Sequence, residues 1–146
     1  MPKANQLIVQ ILEEAGVEYV FGLPGGGTLQ IFDALYGSSI KPILVRHEQT
    51  AAIMADAYGR ATGRPAVIMG QGLFMGSNAS FGIMEAYLSS SPVVVLTDTS
   101  DTNFAQHAAN QSGAGEYGSI DLLSIFRSMT KYTTLATSPK EAEEPS

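Results

Sequence analysis

Tyr19-Val20-Phe21-Gly22-Leu23-Pro24-Gly25-Gly26-Gly27-Thr28 is the stretch on which the reading of this chain turns. Tyr19 to Leu23 is a short apolar run of strand length, stopped at once by a proline and three glycines. Thr28 is then placed to cap a helix running through about Tyr36. A strand that turns directly into a helix is the first half of a βα unit, so the flanking sequence is expected to continue the alternation.

It does so on both sides. Upstream, Leu7, Ile8, Ile11, Leu12 and Ala15 fall at helical spacing, predicting an amphipathic helix near residues 4–15 that Gly16 ends. Downstream, Pro42-Ile43-Leu44-Val45 reads as a strand ending at Arg46-His47-Glu48. A helix from Glu48 to about Thr62 carries Ala51, Ala55, Tyr58 and Thr62 on one face, and Gly63 closes it. Ala66 to Met69 is a third strand, Gly70 to Gly76 a loop, and residues 77–89 a small-residue helix. Pro92 opens a fourth strand, Val93 to Thr97. Asp98 to Gly118 has no period and reads as a loop with room for one helical turn. Ile120 to Met129 is predicted helical and Tyr132 to Ala136 a fifth strand. Short apolar strands separated by helices imply an α/β fold: a three-layer αβα open sheet, mostly parallel, in a single domain over residues 1–146.

Near the C-terminus, Ser138-Pro139-Lys140-Glu141 is a helix-start signature, with Ser at the cap, Pro next and Glu three places after the cap. Only Ala142-Glu143-Glu144 follow before Pro145, too short a body to repay helix nucleation. A start signal without a body sets the expectation that the domain is incomplete at this end.

Composition bounds the function. A chain of 146 residues, 45% hydrophobic and 15% charged, is long enough to bury a genuine core. Its net charge of -6, without any cluster of Lys and Arg, argues against nucleic-acid binding. The absence of cysteine removes disulfides, thiolate zinc sites and cysteine nucleophiles. Met-Pro-Lys-Ala-Asn-Gln lacks the regions of a signal peptide, and apolar runs as short as Val93 to Leu96 cannot span a bilayer. The expectation is a cytoplasmic protein with no membrane partner.

In an open parallel sheet, ligands bind beyond the carboxyl ends of the strands. The candidate polar residues recur there: Pro24 and three glycines after the first strand, Arg46-His47-Glu48 after the second, Gly70-Gln71-Gly72 after the third, Thr97-Asp98 after the fourth. The triple glycine lacks the Gly-Lys-Ser/Thr of a phosphate loop and the spacing of a dinucleotide fingerprint. A tight turn therefore outweighs phosphate binding, and close approach of backbone to a flat ring is a third option. Glu48 on spacing alone is a helix-dipole partner before it is a catalytic acid, and His47 a hydrogen-bonded structural residue. Arg46 could pair with Glu48 or Asp56. Ser77 and Ser80 lack a nucleophile-elbow context, and no metal site is expected.

Three segments together carry a resemblance: Phe21-Gly22-Leu23-Pro24-Gly25-Gly26-Gly27, Val45-Arg46-His47-Glu48-Gln49, and Ala55-Asp56-Ala57-Tyr58-Gly59-Arg60-Ala61-Thr62-Gly63. Glu85-Ala86-Tyr87, Ser91-Pro92-Val93-Val94 and Lys131-Tyr132 extend it. The chain resembles, over nearly its whole length, the N-terminal pyrimidine-binding domain of thiamine diphosphate enzymes of the acetolactate synthase large-subunit type. The resemblance implies a carboligase or decarboxylase acting on 2-keto acids, of the kind that serves branched-chain amino acid biosynthesis. It implies thiamine diphosphate as cofactor, with Glu48 as the catalytic residue: it hydrogen-bonds N1′ of the aminopyrimidine and favours the imino tautomer that removes the C2 proton. The backbone of Pro24, Gly25 and Gly26 would line the ring, with Asn78 a neighbour of the site. The family holds the diphosphate and its magnesium in a later domain, marked by Gly-Asp-Gly and a distant Asn, which nothing here matches. The implied partners are such a domain or subunit and a second copy in a homodimer, and this chain alone is expected to be inactive. An α subunit of a split decarboxylase and a non-catalytic interaction domain that kept the fold are the alternatives.

The sequence also departs from the family. Its Gly-Pro-Gly-Ala-Thr-Asn loop corresponds to Leu73-Phe74-Met75-Gly76-Ser77-Asn78, which predicts a different pocket floor. Thr97-Asp98-Thr99 stands where synthases carry Gly-Gln-Val, and Glu116-Tyr117-Gly118-Ser119 where they carry Ala-Phe-Gln-Glu, so pyruvate is not fixed as the substrate.

Overall fold

The computed structural model describes residues 3–99 and 120–136. Helix α1 (Ala4–Glu14) precedes strand β1 (Tyr19–Gly22), and α2 (Leu29–Ala34) lies between two single 3-10 turns and leads to β2 (Lys41–Leu44). Helix α3 (Glu48–Thr62) connects to β3 (Ala66–Gly70). Helices α4 (Gly72–Ser77) and α5 (Ser80–Leu88) connect to β4 (Val93–Thr97), and α6 (Leu122–Met129) is the last element.

The four strands form one sheet in the order β2-β1-β3-β4, and every pairing is parallel. Val20 stands opposite Pro42 on one side and Val67 on the other, and Ile68 stands opposite Val95. Pro42 lacks an N–H for a second ladder, which suits β2 to its place at the edge. From β1 the chain steps to one side to make β2, then crosses back over β1 to make β3. Right-handed crossovers in opposite directions place their helices on opposite faces. The point where the direction reverses lies between β1 and β3, the crevice that open α/β sheets use for ligands.

Alternation within the strands builds the two cores this topology needs. Phe21, Ala66 and Ile68 face a core shared with Ala51, Ala52 and Ala55 of α3, Ile83 of α5, and Leu122 and Phe126 of α6. Val20, Val67 and Met69 face the opposite way, onto Val9, Val17, Leu35 and Ile40 beside α1 and α2. The expected three layers are therefore present, and all observed strand pairs are parallel. Helices α3 and α5 approach closely at a small-residue seam. A Cβ on Gly82 would stand 2.5 Å from the Ala52 Cβ and 2.9 Å from the Ile53 nitrogen.

Four local expectations are corrected. Residues 72–76, read as part of a loop, belong to α4, because Leu73 and Met75 are good helix residues and Met75 is fully buried in the core. The helix expected over 77–89 starts only at Ser80. Thr28 does not cap α2 with its side chain; it is buried, and its hydroxyl donates to the Gly25 carbonyl at 2.6 Å. Tyr132–Ala136 is not a strand. There the Thr130 hydroxyl donates to the Phe126 carbonyl at 2.7 Å and lies 2.6 Å from the Thr133 hydroxyl, local bonds that turn the chain as it leaves α6. The remainder of the predicted 98–118 loop beyond Thr99, Glu116 to Ser119 and the Ser138 helix-start signature lie outside the described residues.

Candidate functional site

Glu48 is the first residue of α3 and is only 8% exposed. His47 precedes it in extended conformation as the helix cap, its Nδ1 accepting from the Gln49 amide at 3.2 Å. His47 thus does the structural work expected of it, and the helix start places the Glu48 carboxylate where the dipole favours negative charge. Asn78, at the C-terminal end of α4, donates from Nδ2 to Glu48 Oε2 at 2.9 Å. Two residues 30 positions apart therefore meet as an acid and its amide partner. Glu48 Oε1 takes part in none of the described hydrogen bonds.

The segment after β1 sits one strand away. Leu23 prolongs the ladder by donating to the Met69 carbonyl at 3.2 Å. Gly25 is fully extended, and Gly26 has φ +54, a left-handed backbone that a side chain would strain. A carboxylate then meets this turn from the far side of the crevice. Asp98, just beyond β4, accepts from the Gly27 amide through Oδ2 and from the Gly72 amide through Oδ1, the latter at 2.8 Å. The Thr97 hydroxyl adds a bond to the Gly70 carbonyl at 2.7 Å. The loops after β1, β3 and β4 are therefore joined by side chains at the switch point. The Gly27 and Gly72 amides are bonded to a carboxylate of the chain itself, which agrees with a tight turn over a phosphate loop.

Of the candidate residues, Glu48 and Asn78 are brought into direct contact. Pro24, Gly25 and Gly26 leave the carboxyl end of β1 beside β2, whose chain continues to Glu48. No described hydrogen bond joins that turn to Glu48. Asp56, buried on α3, is paired with Arg60 at 2.6 Å and accepts from the Ser91 hydroxyl at 2.6 Å, so it is not the partner of Arg46. The hydroxyls of Ser77 and Ser80 donate back to the Leu73 and Gly76 carbonyls, which leaves neither arranged as a nucleophile. No group of metal-ligating side chains occurs among the described residues, and none of their helices is long and apolar enough to cross a membrane.

Residues 2–118 match the family described as thiamine pyrophosphate enzyme, N-terminal TPP binding domain. The chain belongs to that family. It is similar to the acetolactate synthase large subunit of Haemophilus influenzae, 38% identical over 140 residues that make up 95% of this chain and 23% of that protein. The large subunit of isozyme 2 from Escherichia coli is 35% identical, over 93% of this chain and 24% of its own length. A Pseudomonas aeruginosa protein named probable 2-ketoarginine decarboxylase is 36% identical, over 97% of this chain and 24% of its own length. The chain thus spans about a quarter of the length of the curated relatives it matches. The fold described above is the α/β sheet on which this thiamine pyrophosphate enzyme domain places its strand-end loops.

The bridging role of Asp98 escaped the sequence reading. Its signal was an acidic residue at a strand end, at the position where acetolactate synthases carry Gly-Gln-Val, with a run of glycines ending another strand.

Proposed function

We propose that this chain is the aminopyrimidine-binding part of an acetolactate synthase-like carboligase or decarboxylase that acts on 2-keto acids through thiamine diphosphate. The observation that carries the reading is the buried Glu48 carboxylate at the start of α3, held from one side by Asn78 at 2.9 Å. A carboxylate so placed suits a ring nitrogen: one oxygen is fixed by the amide, which sets the rotamer, and the other remains for a second donor. The turn at Pro24, Gly25 and Gly26, at the carboxyl end of β1, would meet the ring through its main chain, since the space a Cβ would take at Gly26 is filled by Asp98. Thiamine diphosphate, when bound, supplies the electron sink for decarboxylating a 2-keto acid. In this reading Glu48 holds a proton between its carboxylate and N1′, and Asn78 keeps that carboxylate in place. The diphosphate and magnesium are assigned to a further domain or subunit, and a homodimer completes the assembly.

The 2-ketoarginine decarboxylase relative matches as much of the chain as the synthases do, so decarboxylation without a second keto acid fits equally well. In the enzyme containing this domain, Glu48→Gln is expected to slow C2–H exchange of bound thiamine diphosphate by orders of magnitude. The Asn78 contact survives in that variant, since a glutamine oxygen also accepts. Exchange at the wild-type rate would refute the assigned role of Glu48. Product analysis with one and with two 2-keto acids separates decarboxylase from synthase.

A further inference from the structure

We propose that Asp98 is the positioning residue of the glycine turn, an internal carboxylate that pins the loop after β1 to the start of α4. Its two oxygens reach two loops: Oδ2 accepts from the Gly27 amide, 71 positions away, and Oδ1 from the Gly72 amide, 26 positions away. Both amides need such a partner. Gly72 opens α4, whose first amides have none within the helix, and Gln71 supplies no side-chain cap. Gly27 lies in the 3-10 turn that Gly25 likewise leaves without a side-chain cap. Asp98 therefore does from across the crevice what a local cap does elsewhere.

The surrounding glycines are shaped to that carboxylate. A Cβ on Gly26 would stand 2.3 Å from Asp98 Oδ2, one on Gly27 3.1 Å from the same oxygen, and one on Gly72 2.0 Å from the Asp98 carbonyl. Three bare positions thus admit one acid, and the acid in turn fixes the left-handed turn at Gly26. Asparagine cannot replace it fully, because its carboxamide offers one acceptor oxygen and turns an N–H toward the second donor. Asp98 acts through the turn, so resting the cofactor consequence on the proposed function, its loss would disorder the wall before any ring arrives.

The test is site-resolved amide hydrogen exchange on this chain by NMR, comparing wild type with Asp98→Ala and Asp98→Asn. In Asp98→Ala the Gly27 and Gly72 amides are expected to exchange about ten-fold faster or more, as the loss of hydrogen bonds to a charged acceptor implies. The strand amides of Phe21 and Ile68 are expected to stay protected. Asp98→Asn is expected to restore protection at one of the two glycines and not the other, a split that a general loss of stability cannot produce. Protection unchanged at both glycines in Asp98→Ala would overturn the proposal. If Asp98→Ala fails to fold, wild-type protection at both glycines in Asp98→Asn would overturn it. Titrating the enzyme that contains this domain with thiamine diphosphate and magnesium separates the two readings. Failure of that enzyme to bind thiamine diphosphate refutes the ring-binding reading, while the exchange pattern still decides the clamp.

Discussion

Gly82→Ala sets two effects of known size against each other. Gly82 lies inside α5, where replacing glycine by alanine is worth about 1 kcal/mol of helix stability. Against that, the new methyl would stand 2.5 Å from the Ala52 Cβ and 2.9 Å from the Ile53 nitrogen of α3, where ordinary contact begins at 3.4 Å. These are backbone atoms and a Cβ, with no flexible side-chain end to yield. Helices α3 and α5 must therefore separate by most of an ångström, a gap that forfeits roughly a quarter to a half of each dispersion contact along the seam. Overpacking of this kind costs about 3 kcal/mol at the upper end of its usual range. The clash wins, and the variant is expected to be about 2 kcal/mol less stable than wild type. Urea unfolding followed by circular dichroism should show the midpoint lowered by about 1 M. Gly37→Ala is the control, because nothing lies within 4 Å of its added Cβ and its midpoint should not fall. A Gly82→Ala midpoint equal to or above wild type would refute the argument that the seam is closed to a methyl group.

Asp56→Ala removes a buried acceptor from the Ser91 hydroxyl and is expected to cost about 2 kcal/mol, whereas Arg60→Ala, at the half-exposed end of the same pair, should cost under about 1 kcal/mol; the order of the two urea midpoints checks this. Asn78→Ala is expected to leave the fold intact while weakening thiamine diphosphate binding by the enzyme that contains this domain, measured by cofactor titration, because it frees the Glu48 carboxylate to change rotamer. The backbone amide and then the hydroxyl of Ser39 hold the Glu13 carboxyl below its ordinary 4.5. A depressed folded value means that stabilisation is complete above the unfolded value and is lost as pH falls through the folded one. The stability difference between wild type and Ser39→Ala should therefore be constant above 4.5 and shrink on acidification; a difference that widens in acid would refute the assignment.

The sheet was legible because its strands are short, apolar and punctuated, so Val20, Phe21, Val67 and Ile68 announce two buried faces without tertiary information. Helix α4 was hidden because Gly70, Gly72 and Gly76 look like loop residues, whereas Met75 becomes helical through a core contact that spacing does not show. Tyr132 to Ala136 has the β-branched and aromatic residues of a strand, but propensity does not provide a partner, and the threonine hydroxyls bond locally instead. At the site, Glu48 could be placed at a helix start from sequence, yet its choice over the dipole-partner reading came from the family resemblance. The meeting of Glu48 with Asn78 and the bridge from Asp98 are long-range events, visible only once the strands are side by side.

The bond between Gly27 and Asp98 also sets an order of events during synthesis. A ribosome adding about 5–20 residues per second needs roughly 4–14 s to pass from Gly27 to Asp98. For the first 43 of those 71 residues β3 is not yet complete, and until Asp98 itself is added the Gly27 amide has no carboxylate to hold the glycines in one backbone basin. The earliest-made part of the candidate site is therefore among the last to acquire its shape, and a nascent chain stalled short of Asp98 would carry the turn unset.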